Sequence, residues 1–420
     1  MSSAVWHPFT QEALAPEPIK ILSGKGAKLY TEDGRVILDA VSSWWVNIHG
    51  HSEVKIAEAI YTQATELEHV IFAGFTHAPA IQLAESLLRI CPGSFNKVFY
   101  SDNGSTAVEV AIKMALQFHY NLGHDKKKII ALEGAYHGDT FGAMSVGGRS
   151  AFNGPFADKL FDVDFIPVPN ESNFESVLNL FQSYLEKGDV AAFIFEPLLQ
   201  GTAGMKMYKA EYLDSLIRSA KQHGVLCIAD EVMTGFGRTG HLFACEYINE
   251  TADVMCLSKG ITGGFMPLGV TLCTSKIYQA FHSSDRMKTF FHGHSYTGNP
   301  LSCAAANASL ELLLSKERQH DITRVSAFMS RFCEELKTIH SVSSPRNIGT
   351  VLAFELESDN NNYFSGIRDK IYDYAIQNGV LLRPLGNTVY LMPPYVISDD
   401  ELENIRTVVL KMIKYIHDGE

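Results

Sequence analysis

Five short apolar runs that do not alternate with polar residues limit what this chain can fold into. They are Val98-Phe99-Tyr100, Ile129-Ile130-Ala131, the segments 191–195 and 225–229, and Val254-Met255-Cys256-Leu257. A strand with one wet face alternates, so runs of this kind belong to strands covered on both faces. Helical patterns separate them, which predicts an α/β fold over 52–310: a mostly parallel central sheet in a large domain, with ligands at the carboxyl ends of the strands. Beyond it come a long helical stretch from 301 towards 340, strands near 351–354 and 380–382, and a helix opening on the Ser398-x-x-Glu401 capping box. These predict a smaller α+β domain at 311–420. Residues 1–51, with Pro8, Pro16, Pro18 and a hairpin pattern at 29–36, are expected to pack on it.

Composition narrows the partners. At 46% apolar and 20% charged, the 420 residues suit a folded protein with a large core, not a disordered or collagen-like chain. Lys and Arg number 35 against 47 Asp and Glu, a balance of −12 that argues against nucleic acid or an anionic membrane and for small-molecule substrates. The first eight residues lack the basic and apolar regions of a secretory signal. The longest charge-free stretch, 289–310, contains His292, His294, Asn299 and Pro300 and is too polar to span a bilayer. Seven cysteines without a CxxC pair read as free thiols in a reducing compartment, so a cytoplasmic protein is expected.

Three strand ends carry chemistry. Ser101-Asp102-Asn103-Gly104-Ser105-Thr106 joins an apolar run to a helical pattern from 107 to 116, where backbone N–H groups at a helix start suit a phosphate; an ordinary N-cap is the alternative. Asp230 and Glu231 end the most apolar run, and a carboxylate there requires a positive partner; a salt bridge to Arg238 is the structural alternative. Lys259 follows the last run and precedes Gly260, Gly263 and Gly264. A desolvated lysine is a carbonyl-reactive amine. Twenty-nine residues separate Asp230 from Lys259, enough for two strand ends joined by one crossover to face one cleft. An amine that forms an imine, a carboxylate that keeps a ring nitrogen protonated and an anion cradle together make the set that pyridoxal 5'-phosphate requires.

Those segments, with Tyr136-His137-Gly138, Glu196-Pro197, Gly235-Phe236-Gly237-Arg238 and Tyr296-Thr297-Gly298-Asn299-Pro300, resemble the class III pyridoxal-phosphate aminotransferases over nearly the whole chain. Trp6-His7-Pro8-Phe9-Thr10, Ser42-Ser43-Trp44-Trp45, Arg383-Pro384-Leu385-Gly386 and the segment 390–395 resemble the members that aminate 8-amino-7-oxononanoate to 7,8-diaminononanoate in biotin synthesis. The resemblance implies the fold type I architecture of pyridoxal-phosphate transferases and a homodimer with shared active sites. It implies Lys259 as the cofactor-linked lysine, Asp230 at the pyridine nitrogen and Tyr136 stacked on the ring. Gly104 and Ser105 would bind the phosphate, joined by His294 and Ser295 from the neighbouring subunit. Phe9, Trp44, Trp45, Tyr136, Gly293 and Arg383 would line the substrate channel, with Arg383 on the acceptor carboxylate.

Two departures bear on substrates. Phe9 stands where those relatives commonly carry Tyr, which removes a hydroxyl expected at the substrate amine. Gly293-His294-Ser295 stands where many read Gly-Pro-Thr, closer to other class III members and to the lysine-using variant; S-adenosylmethionine, the usual donor, is the expected one, with lysine the alternative. Another ω-aminotransferase and a silent cofactor-binding protein are the competing readings. Arg238 is expected to form a salt bridge or touch substrate. The pairs His49/His51 and His292/His294 have no evident Cys or carboxylate completing a ligand set, so no metal is expected.

Overall fold

A computed structural model describes residues 4–150, 153–356 and 366–418. Its central sheet has seven strands in the spatial order Phe95–Ser101, Gly269–Thr274, Val254–Leu257, Leu226–Asp230, Val190–Phe195, Lys128–Leu132 and Asp164–Ile166. Only Gly269–Thr274 runs against the others. Residues alternate between two separate cores. Phe193 and Phe195 join Phe181 and Leu216 on one face, while Ala192 and Ile194 join Val110 and Ala111 of the helix Gly104–Asn121 on the other. Burial on both sides is why these strands read as continuous apolar runs.

The carboxyl-terminal part holds an antiparallel sheet of Val342–Ile348, Val351–Leu356 and Thr388–Leu391. The helices Lys316–Leu336 and Asp399–Asp418 pack on it through a cluster that includes Phe328, Phe354, Val389 and Val409. Ser398 and Glu401 make the reciprocal capping bonds, Glu401 Oε2 accepting from the Ser398 N–H at 2.9 Å and Ser398 Oγ from the Glu401 N–H at 3.3 Å. Two expectations change. The helical stretch from 301 is two helices, Pro300–Leu313 and Lys316–Leu336, because Ser315 leaves helical geometry to cap the second. The strand near 380 is the short Val380–Leu381, and it pairs in parallel with Val36–Asp39 of the amino-terminal sheet instead of joining the carboxyl-terminal one. Segments 357–365 and 419–420 of that region, and residues 1–3, lie outside the described residues.

Among the described residues no helix is long and apolar enough to cross a membrane. All seven cysteines are buried and unbridged.

Candidate active site

The strand Leu226–Asp230 delivers Asp230 at its buried carboxyl end, in register with Cys256 of the neighbouring strand Val254–Leu257. The chain leaves that neighbour through Ser258 and turns once at Lys259–Thr262. Lys259 takes a positive φ of 45°, a conformation that costs a non-glycine residue energy and needs outside support. Support comes from the Ser258 hydroxyl, which donates to the Leu268 carbonyl at 2.6 Å, and from Gly263 in the left-handed region closing the turn. Asp230 and Lys259 therefore line one cleft of about 740 Å³ with Gly104, Ser105, Tyr136 and Trp45.

The positive partner of Asp230 is His137, whose Nδ1 lies 2.6 Å from Asp230 Oδ2. Burial pushes the imidazole pKa down, but the bond to Asp230 and its charge prevail and hold it above the ordinary value. Burial lowers the Lys259 amine pKa, opposed by the charges of Asp230 and Glu196. Its Nζ sits 4.6 Å from the centre of the Trp45 ring. Glu196 is buried and its carboxyl is pushed up to about 7, chiefly by desolvation. Its two oxygens accept the N–H groups of Tyr136 and Gly201, each at 2.9 Å, so it fixes the backbone on which Tyr136 stands. Tyr136 donates its hydroxyl to Asp139 at 2.9 Å, and burial raises its pKa well above that of a free phenol.

Also lining the cleft, Gly104 and Ser105 open the helix Gly104–Asn121, earlier than the 107 expected from its pattern. The first N–H groups of a helix lack partners within it and attract an anion. Ser105 Oγ lies 2.8 Å from Thr140 Oγ1 and accepts the Thr140 N–H at 3.0 Å, while Thr140 donates its hydroxyl to Glu109 at 2.5 Å. A side chain at Gly104 would meet Val232 at 2.7 Å, so glycine lets backbone and Val232 approach.

The remaining expected residues separate into two groups. Trp44 is half in solvent, with Arg383 over its ring at 4.6 Å and Phe9 tilted against it at 5.5 Å between centroids, a cluster at the edge of the cleft. Gly293, His294 and Ser295 do not line this cleft. Arg238 neither pairs with Asp230 nor faces the cleft. It is buried and donates to the carbonyls of Pro393 at 3.0 Å and Trp45 at 3.3 Å, with the Tyr395 ring 5.2 Å away. Glu231 is fully buried and accepts from Thr234, Ala244 and Cys245, which leaves the chemistry to Asp230. His49 bonds Ser309 and His51 bonds Asp39. His137, Glu196, Asp139 and Thr140 were not singled out from the residues. The signals available for the first two were the resemblance carried by Tyr136-His137-Gly138 and Glu196-Pro197 and the demand for a positive partner beside Asp230, which a histidine answers.

Pyridoxal phosphate fits these residues. His137 Nε2 is buried without a hydrogen-bond partner among the described residues, marking a polar site beside Asp230 that a ligand would complete. The amine, the carboxylate and the helix start lie in one cleft, in keeping with a carbonyl, a basic ring nitrogen and a phosphate on one molecule.

Comparison with known proteins agrees with this geometry. The aminotransferase class-III family model matches residues 10–413. The chain belongs to the class III aminotransferases. It is 49% identical to the adenosylmethionine-8-amino-7-oxononanoate aminotransferase of Synechococcus elongatus, over 98% of this chain and 99% of that protein. It is 37% identical to the protein of the same name from Staphylococcus aureus, over 99% and 97%. The crystal structure of the Methanocaldococcus jannaschii protein of that name superposes with a TM-score of 0.93 at 37% identity, covering 98% of this chain and 97% of the other. A PLP-bound amine transaminase from an uncultivated Pseudomonas species gives 0.91 at 30% identity, covering 98% and 99%.

Proposed function

We propose that this protein is a pyridoxal-phosphate aminotransferase of biotin synthesis that moves an amino group from S-adenosylmethionine to 8-amino-7-oxononanoate, giving 7,8-diaminononanoate. The observation that carries the reading is full-length similarity to proteins named for that reaction, in a chain with one cleft that brings Lys259, Asp230 and His137 together. When bound, the cofactor supplies an aldehyde that links amines and a pyridinium that draws electrons from the bond being broken.

The chain's own residues do the rest. Burial lowers the Lys259 amine pKa, which favours Nζ as the nucleophile and then as the base that moves a proton off the donor carbon. Asp230, held by His137, keeps a proton on the ring nitrogen. Glu196, whose carboxyl is pushed up to about 7 by burial, holds the Tyr136 and Gly201 N–H groups and so fixes the segment that carries Tyr136. Gly104 and Ser105 bind the phosphate through the helix start, and Tyr136 covers the ring. Trp44, Trp45 and Phe9 form the apolar channel that a nonanoate chain requires, and Arg383 takes its carboxylate.

A cytoplasmic homodimer completes the proposal. Ile71, Phe75, Phe291 and Tyr296 are exposed, as surfaces that a second subunit covers would be. The loop with Gly293, His294 and Ser295 stands outside its own cleft, which supports His294 and Ser295 serving the partner's phosphate and Gly293 the partner's substrate. The test is purified protein with pyridoxal phosphate and 8-amino-7-oxononanoate, supplied with S-adenosylmethionine or with lysine, and mass detection of 7,8-diaminononanoate. Product with S-adenosylmethionine supports the reading. Product with lysine alone corrects the donor, and no product with either overturns the acceptor. Light scattering is expected to give the mass of a dimer.

A further inference from the structure

The turn that carries the two tryptophans is strained. Ser42, Ser43 and Trp45 have φ of 52°, 58° and 69°, and Ser43 combines its positive φ with ψ of −100°. Non-glycine residues hold such a backbone only where surrounding contacts over-determine it. Trp45 within the turn is buried, donates Nε1–H to the Tyr390 hydroxyl at 2.9 Å and presents its ring to Lys259 Nζ.

One side chain gathers the turn. Asp39, fully buried at the end of the strand Val36–Asp39, accepts the Val41 N–H on Oδ1 at 3.1 Å. On Oδ2 it accepts the Ser43 N–H at 2.7 Å, the Ser43 hydroxyl at 3.2 Å and His51 Nε2 at 2.9 Å. A carboxylate accepts only, so all four groups must donate to it, and His51 Nε2 must carry a proton. His51 is held in turn: its backbone pairs with Gly26 in both directions, at 3.2 and 2.8 Å, and a side chain at Gly24 would strike its Cβ.

We propose that Asp39, anchored by His51, is a positioning residue that locks the 42–45 turn in its strained form and thereby sets the Trp44–Trp45 wall against Lys259. It touches no substrate. Its meaning for catalysis rests on the aminotransferase reading, but the wall's position does not.

The chain has three tryptophans, so a Trp6→Phe protein reports on the wall alone. In that background, full-length and with cofactor, Asp39→Asn replaces an acceptor-only group by one that cannot serve both Val41 and Ser43. Tryptophan emission is expected to shift to the red as Trp45 gains water. Acceptor kcat/KM is expected to fall roughly a hundredfold, the scale of a small misplacement in an active site, mainly through KM. Adding Ser43→Gly removes the worst backbone strain and is expected to recover a good part of both changes, which general loss of stability would not do. Unchanged emission in folded Asp39→Asn, or a defect that Ser43→Gly does not relieve, overturns the proposal. If Asp39→Asn does not fold, His51→Ala decides, with a smaller red shift expected and an unaltered spectrum overturning the clamp. Failure of the wild type to aminate 8-amino-7-oxononanoate would sink the proposed reaction, yet the emission comparison would still decide the role of Asp39.

Discussion

His137 Nδ1 lies 2.6 Å from Asp230 Oδ2, and the other nitrogen of the same ring is buried without a partner among the described residues. The carboxylate is thus neither solvated nor neutralised by a flexible cation. It is held by a planar group with one direction of approach, leaving Oδ1 to accept the Val232 N–H at 3.0 Å. An acid so fixed serves a partner whose proton must stay in one place.

If Asp230 faces the cofactor's ring nitrogen as proposed, Asp230→Asn is expected to lower kcat by roughly a hundredfold or more, since that nitrogen would lose the charge that keeps it protonated. His137→Phe keeps the volume but frees the Asp230 carboxylate, and a smaller fall is expected. Steady-state kinetics at saturating cofactor measure both. An Asp230→Asn enzyme as fast as the wild type would mean that another group protonates the ring.

Lys259→Ala removes the one amine that lines the cleft among the described residues. Turnover is expected to drop by about a thousandfold or more. Borohydride treatment followed by mass spectrometry is expected to leave no cofactor on the protein. Covalent cofactor retained in Lys259→Ala would assign the linkage to a different lysine.

Glu196 gives a stability prediction with a definite sign. Its folded pKa of about 7 lies above the ordinary 4.5, so the folded protein holds this proton more tightly than the unfolded chain does. The contribution is fully present below about pH 4.5 and is lost as the pH rises through about 7; a shift of this size corresponds to about 3 kcal/mol. His137, also raised, works in the same direction. The cofactor-free protein is expected to melt a few degrees lower at pH 8.5 than at pH 5.5, with a smaller difference in Glu196→Gln. Differential scanning fluorimetry across that range checks it, and equal slopes in the two proteins would refute it.

The sheet and the reactive pair were legible because burial on both faces leaves a local mark. Runs such as 191–195 and 225–229 have no polar alternation, and Asp230 and Lys259 interrupt that apolar character at strand ends. His137 and Glu196 were not, because their roles depend on which strands become neighbours. Leu226–Asp230 and Lys128–Leu132 both flank Val190–Phe195, an order no local pattern states. The place of Arg238 was illegible for a related reason. A buried guanidinium that donates to the carbonyls of Pro393 and Trp45, both distant along the chain, leaves no trace in spacing. The break at Ser315 fell inside one helical period, and Val380–Leu381 took its partner from a strand more than three hundred residues earlier.

Arg383 lies on the face of Trp44, which pre-orients its planar fork at the edge of the cleft. If Arg383 takes the acceptor carboxylate as proposed, Arg383→Ala is expected to raise KM for 8-amino-7-oxononanoate by roughly ten- to a hundredfold with a smaller change in the donor half-reaction, because a charge-assisted bidentate contact would be lost on the acceptor. Separate single-turnover measurements with donor and acceptor resolve the two. Equal losses in both would indicate a contact common to both substrates.

Gly138 tests how tightly the phosphate end is built. Its φ is 128°, which disfavours any side chain, and a Cβ there would lie 2.3 Å from Ser105 Oγ and 2.7 Å from Ser105 Cα. The second contact is with backbone at the helix start, so rotating the serine cannot relieve it. Gly138→Ala must displace either the first turn of Gly104–Asn121 or the Tyr136–Thr140 segment, separating Ser105 from Thr140 in both cases. Strain and clash together are expected to cost about 2–4 kcal/mol of stability and to weaken cofactor binding at least tenfold. Cofactor absorbance titration beside a thermal melt separates these effects. Normal affinity in a merely less stable protein would show that Ser105 does not hold the phosphate.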